Sequence, residues 1–274
     1  MADPTGQTDA RAPVAASARE SRLRAFPDTK VAKIHEQLRN VDGAPWPDLP
    51  GCLLVLFTAR SGSTYLCREL EKHFHVGKMA ETLNPAQISK TPVELLLSKR
   101  LSPWFAFKAG FKGVVGAECS GFVDTYLNDI VLVRLIRRDI VAQAVSLVKA
   151  TQTRQWHLTD AIRQPAHYDL AEIESAIIKI ASVADRLRTY AESMGRPCEM
   201  LAYEDFSGGD TSAALRICDR LGVPRRSIDS PIEHRPTERM GDEMNEQWRQ
   251  QASREMGAVA RDWVSRYRAA VEAP

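Results

Sequence analysis

Apolar residues run unbroken from Cys52 to Phe57 (CLLVLF), behind Pro47, Pro50 and Gly51, and predict a strand buried on both faces of a parallel sheet. The pattern then breaks into a small, polar stretch, Thr58 to Thr64, with one glycine and one arginine. From Tyr65 the period changes, because Leu66, Leu70 and Phe74 recur four apart as on a helix face. Further strands are predicted at Trp104–Lys108 (WFAFK), Ile130–Ile136 (IVLVRLI) and Cys198–Tyr203. Helices are predicted between and after them. Asp28 and Thr29 offer N-caps to a helix with Val31, Ile34 and Leu38 on one face. Thr91-Pro92-Val93-Glu94 is a capping box that starts a helix to about Lys99, and Phe122 to Leu127 forms a short one. Asp139 caps a helix with Val141, Ala144, Val145 and Val148 inside, and Asp169 with Glu172 starts a long one that ends at Gly195. A helix from Asp210 to Leu221 stops at Gly222 and Pro224, and a last helix carries Trp248, Met256, Val259, Trp263 and Tyr267. Strands alternating with helices imply an α/β fold with a central parallel sheet covered on both faces.

Met1 to Glu20 is rich in Ala, Asp, Thr, Ser and Pro and has almost no large apolar residue, so it is expected to be disordered. Residues 1–45 therefore read as a disordered tail with a short helix, and 46–274 as a single domain. Charge adds a constraint: Lys+Arg number 37 and Asp+Glu 35, a net +2 that argues against a nucleic-acid-coating protein. Five scattered cysteines without a C-x-x-C pair read as buried thiols of a reducing compartment. With no membrane-length apolar segment and no secretory h-region, a cytoplasmic location is expected.

A strand, a small-residue turn and a helix together present backbone N–H groups and the positive end of a helix dipole to an anion. The turn departs from the P-loop pattern G-x-x-x-x-G-K-[ST], since no lysine precedes Ser63 and Thr64 and the nearby cation is Arg60. Nucleoside triphosphatases need that lysine, whereas an arginine fork suits a pair of phosphate or sulfonate oxygens. The competing reading is an ordinary strand–helix connection turned by Gly62. A second candidate site lies at the end of the 130–136 strand, where Arg137 stands at a carboxyl end and Ser146 follows on the helix. The alternative there is a solvated basic pair, Arg137-Arg138. Two anion sites on neighbouring strand ends suit a nucleotide with phosphates at its 5′ and 3′ positions. Glu81 lies in a polar segment just downstream and is a candidate base or a solvated charge. His73 and His75 without a third ligand are weak metal candidates, and no metal is expected. Gln152, Arg154 and Trp156 are candidates to flank a sugar ring, although Trp156 also suits a core position. Arg235 and Arg239 reach an anion or decorate a loop.

FTARSGSTYLCREL and RLIRRDIVAQAVSLVKATQTRQWH together are similar to bacterial sulfotransferases of the trehalose 2-sulfotransferase type. The resemblance spans roughly residues 50–250 and implies a P-loop-like sulfotransferase fold. It also implies transfer of a sulfonate from 3′-phosphoadenosine-5′-phosphosulfate (PAPS) to a carbohydrate or glycolipid hydroxyl, with no metal. Carried over, the 5′-phosphosulfate loop falls on Arg60, Ser61, Gly62, Ser63 and Thr64. The 3′-phosphate contacts fall on Arg137 and Ser146, and the base on Glu81. Tyr203 resembles the strand end beside the nucleotide, and Arg235 with Arg239 the basic loop closing over it. Lys108 is then a candidate for the sulfonate oxygens, and Arg60 for the leaving phosphate. Gly77-Lys-Met-Ala-Glu81-Thr keeps the base of the family's G-E-P-x-E-F but changes the flanking acid and aromatic, which line the acceptor side. Glu81-Thr-Leu-Asn-Pro85 is similar to relatives that sulfate lipo-chitooligosaccharides and other glycoconjugates. A homodimer is implied as well. The alternatives are a degenerate P-loop kinase, disfavoured by the missing lysine, and a non-catalytic nucleotide-binding module, which would need no base at Glu81.

Overall fold

Each apolar run becomes a strand; Cys52–Phe57 is buried along its whole length, whereas Met200 in the last strand is 44% exposed. The computed structural model describes residues 12–38, 46, 49, 51–85, 104–156, 160–210, 212–220, 222–226 and 241–272. Its first half holds α1 (Ala12–Leu23), α2 (Asp28–Leu38), β1 (Cys52–Phe57), α3 (Ser63–His73), β2 (Phe105–Ala109), α4 (Phe111–Cys119) and α5 (Phe122–Tyr126). Next come β3 (Ile130–Ile136), α6 (Ile140–Thr153), α7 (Leu170–Ser193), β4 (Cys198–Ala202) and the single turn α8 (Tyr203–Phe206). The chain continues through α9 (Ser212–Arg220), α10 (Glu243–Glu255) and α11 (Ala258–Glu272). All strand pairings are parallel, in the order β2-β1-β3-β4.

The twofold alternation of side chains sorts the core. Cys52, Leu54 and Leu56 join Phe107, Leu132, α2, α4, α5 and the C-terminal part of α7. Leu53, Val55 and Phe57 join Val133, Leu135, Leu201, α3 and α9. Ile136 continues the first face into a cluster of α6, α7, α10 and α11. The helix after β1 thus leaves on one face of the sheet and the helices after β3 on the other. That divergence opens a crevice at the carboxyl ends of β1 and β3, the place where open α/β sheets bind ligands.

Four expectations are corrected. Residues 12–23 are helical rather than disordered, because α1 is held by charge and not by the apolar burial its composition lacks. Arg22 is 4% exposed and donates to Glu118 (Nε 2.7 Å, Nη2 2.9 Å) and to Asp124 (2.6 Å), while Arg19 pairs with Asp124 as well. The fully buried Glu118 also accepts from Tyr190 Oη at 2.8 Å. Second, α4 has no counterpart in the sequence reading. Apolar nearly all round and containing Gly113 and Gly116, it carries no amphipathic signal. Third, the last helix is two: the chain turns at Met256-Gly257, where the Gly257 N–H donates to Glu174 Oε1 at 2.6 Å. Fourth, two strand bounds change by one residue: β2 is shifted to Phe105–Ala109, and β4 starts at Cys198 as expected but ends at Ala202. The helix expected from Thr91 to Lys99 lies outside the described residues.

Candidate active site

The turn after β1 is shaped by two residues in left-handed conformation, Arg60 (φ 64°) and Gly62 (φ 87°). Gly62 is required twice over. A Cβ there would fall 2.3 Å from Tyr203 Cδ2, and the positive φ strains any side chain. Gly62 is also the N-cap of α3 and provides no side-chain cap, whereas Asp139, Asp169 and Asp242 cap α6, α7 and α10. The first-turn N–H groups of α3 are therefore presented to the crevice side of the turn. Within the same turn, Ser61 Oγ is buried and has no hydrogen-bond partner among the described residues.

Arg60 ties this turn to the helix after β3. Its Nε donates to Ser146 Oγ at 3.0 Å and its Nη1 to the Trp156 carbonyl at 2.9 Å. Arg137 Nη1 lies 3.4 Å from the Arg60 carbonyl, and the Arg137 guanidinium stacks 4.9 Å from the centre of the Tyr203 ring. Burial, and then the charge of Arg137, push the Arg60 pKa down. Two guanidiniums held together in a half-buried turn suit an anion. The backbone around them is fastened from behind. Tyr267 Oη donates to the Arg137 carbonyl at 3.0 Å, and Glu204 accepts from the N–H groups of Arg138 (3.0 Å) and Asp139 (3.2 Å). Arg138 itself turns to Asp205 in a bidentate pair.

Lys108 enters from the neighbouring strand. Its Nζ stands 3.2 Å from Ser63 Oγ and 3.0 Å from Thr64 Oγ1, above the Phe57 ring. The Lys108 N–H donates to the Ala80 carbonyl at 3.1 Å, which brings Glu81 to the same strand end. Glu81 Oε2 accepts from Asn84 Nδ2 at 3.0 Å. The segment after Glu81 is seated on α4, where a Cβ on Gly116 would lie 2.1 Å from the Leu83 carbonyl oxygen. On its other side Glu71 Oε1 accepts from the Met79 N–H at 2.6 Å, and burial raises the Glu71 pKa.

Of the acceptor candidates, Trp156 is 42% exposed and Arg154 is exposed with φ 59° at the end of α6. Gln152 is buried, with its Nε2 on Glu172 (2.8 Å) and its Oε1 on the His167 N–H (3.0 Å), so it orders the 160–168 segment. Arg235 and Arg239 lie outside the described residues. Sequence reasoning missed Gln143, a buried residue whose Nε2 donates to Thr58 Oγ1 (2.8 Å) and to the Ala59 carbonyl (2.7 Å). The available signal was its place three residues before Ser146, on the same side of the helix. Among the described residues, no group of three or more His, Cys, Asp or Glu is placed to hold a metal ion, and no helix is long and apolar enough to cross a membrane.

A family model of the Stf0 sulphotransferases matches residues 116–255, just over half of the chain. The chain belongs to the Stf0 sulphotransferase family. A trehalose 2-sulfotransferase from Mycolicibacterium smegmatis is 28% identical over 139 residues, which cover 50% of this chain and 52% of that relative. The match thus spans about half the length of the relative. The matched residues contain Arg137, Gln143, Ser146 and Tyr203, whereas the turn after β1 precedes them. Arg60 and Gln143 carry the bonds that join the two parts.

Proposed function

We propose that the protein transfers a sulfonate group from PAPS to a hydroxyl of a carbohydrate or glycolipid acceptor. The observation that carries this reading is the pairing of two cation-bearing strand ends, Arg60 on Ser146 and Arg137 on the Arg60 carbonyl, at one crevice of the sheet. The residues fit such a donor. Uncapped N–H groups, the unused Ser61 hydroxyl and the Arg60 guanidinium suit a phosphosulfate, and Arg137 with Ser146 suits a 3′-phosphate. The bound donor supplies the sulfonate and, as leaving group, a nucleotide 5′-phosphate. Arg60 and the first turn of α3 would stabilise the charge that builds on that phosphate, and Lys108 would meet the sulfonate oxygens. Glu81 would accept the acceptor's hydroxyl proton, a role that typically contributes a rate factor of about 10² to 10⁴. Because these groups are held in place before binding, positioning supplies much of the effect. A carbohydrate acceptor is supported by the family and by the trehalose named for the relative.

Calorimetric titration with adenosine 3′,5′-bisphosphate, with ATP and Mg²⁺ as control, tests the donor site. Magnesium-independent binding of the bisphosphate in preference to ATP is expected, and no binding would overturn the donor assignment. Glu81→Gln should bind the bisphosphate normally yet lose transfer of radiolabelled sulfonate to sugar acceptors. A variant as active as the wild type would remove Glu81 as the base.

A further inference from the structure

We infer that Gln143 is the positioning residue that locks the turn after β1 to α6, so that the two anion subsites act as one. This rests on the donor-site reading above for its functional meaning, but the geometry stands on its own. Gln143 is 0% exposed on the side of α6 that carries Ser146, turned away from the stripe of Val141, Ala144, Val145 and Val148. A buried amide is costly without partners. Both hydrogens of its Nε2 are used, one on Thr58 Oγ1 and one on the Ala59 carbonyl. The Oε1 atom is buried and has no hydrogen-bond partner among the described residues. The amide is therefore kept for its donors alone. Its orientation is also determined, since the flipped amide would set Oε1 against the Ala59 carbonyl, acceptor against acceptor.

Ala59 directly precedes Arg60, whose left-handed backbone (φ 64°) is an arrangement that surrounding structure must impose. Ser146 lies three residues after Gln143 on α6 and accepts from Arg60 Nε. One helix thus holds Arg60 at both ends, its backbone through Gln143 and its guanidinium through Ser146. Without Gln143 the turn would lose its hold on the strained backbone and the phosphosulfate side would loosen, while Arg137, fastened by Tyr267 and Glu204, would stay.

Gln143→Met keeps the length and volume and removes both donors, and Gln143→Glu keeps the shape but faces Ala59 with an acceptor. Hydrogen exchange on the ligand-free protein is the first readout. Both variants should speed amide exchange across residues 59–66 by about 10-fold, one hydrogen bond's worth, with α7 unchanged. The second readout is affinity. Adenosine 3′,5′-bisphosphate should bind the Met variant about 10-fold more weakly, and adenosine 3′-monophosphate, which lacks the 5′ group, within about 2-fold of wild type. Unchanged exchange across 59–66 in Gln143→Met would overturn the positioning role. So would equal weakening of both nucleotides, the pattern of a general loss of packing. Failure of the wild type to bind either nucleotide would count against the donor reading, and the exchange data would still decide on Gln143.

Discussion

Replacing Gly62 with alanine sets a single methyl group against the geometry of the whole turn. At φ 87° an L-residue other than glycine costs roughly 1–2 kcal/mol. The added Cβ would also stand 2.3 Å from Tyr203 Cδ2 and 2.8 Å from Cε2, well inside the ~3.5–4.0 Å at which carbon atoms rest. Tyr203 has little room to retreat. Arg137 lies over its ring at 4.9 Å, and Phe206 meets it edge-on at 5.8 Å. Overpacking of this kind adds about 1–3 kcal/mol, so Gly62→Ala should destabilise the protein by about 2–5 kcal/mol in total. Urea unfolding at equilibrium gives the number, and a double-mutant cycle separates its parts. In a Tyr203→Ala background the steric part disappears and the backbone part stays, so the two substitutions should couple by about 1–3 kcal/mol. Strict additivity would refute the claim that the Tyr203 ring is what Gly62 must clear. A loss below about 1 kcal/mol in Gly62→Ala would refute the strain argument as well.

Two other predictions concern the body of the protein. Arg22→Met leaves the buried Glu118 with the Tyr190 hydroxyl and without its guanidinium, which should cost about 3–5 kcal/mol in thermal or urea unfolding. Arg22→Met with Glu118→Gln should recover much of that, and a single variant as stable as wild type would refute the anchoring of α1. Burial pushes the Cys67 thiol up to about 12. The folded state therefore keeps a proton that the unfolded chain has lost above about pH 9, and stability is full below that pH. It should fall by up to about 1.4 kcal/mol per pH unit between about pH 9 and 12 for this thiol, a slope that Cys67→Ala removes. A flat urea midpoint across pH 9–11 would contradict it.

The sheet was legible because continuous apolar runs have few other uses. Cys52–Phe57 and Ile130–Ile136 are the strands read from the pattern, and the aspartate caps of α6 and α7 stand where their side chains imply. What was not legible depended on partners distant in sequence. The hold on α1 comes from Glu118, 96 residues after Arg22, and no local periodicity encodes it. Gly113 and Gly116 weaken the helix signal of α4 because their purpose is close approach: Gly116 clears the Leu83 carbonyl. At the site, Arg60, Ser146 and Arg137 were named from the sequence, and the structure brings them together. Gln143 was passed over since a glutamine outside the apolar stripe of a helix reads as solvated until its two acceptors are known.

The missing lysine of the turn acquires a physical sense once the neighbouring strand is included. A P-loop places its lysine at the helix start, one residue before the hydroxyl that meets a metal. Here Lys108 comes from β2, and its ammonium rests between the Ser63 and Thr64 hydroxyls. A positive charge held there by both hydroxyls opposes a second cation at the same place. The strand register makes this possible, since Lys108 pairs with Val55 near the carboxyl end of β1 and its side chain has only to cross one strand spacing. The same residue's N–H holds Ala80, so the cation at the turn and the Glu81 carboxylate share one anchor on β2. A shift of β2 by one residue would turn Lys108 to the opposite face of the sheet and separate them. The chemistry proposed for the crevice therefore depends on strand register as much as on the residues of the turn.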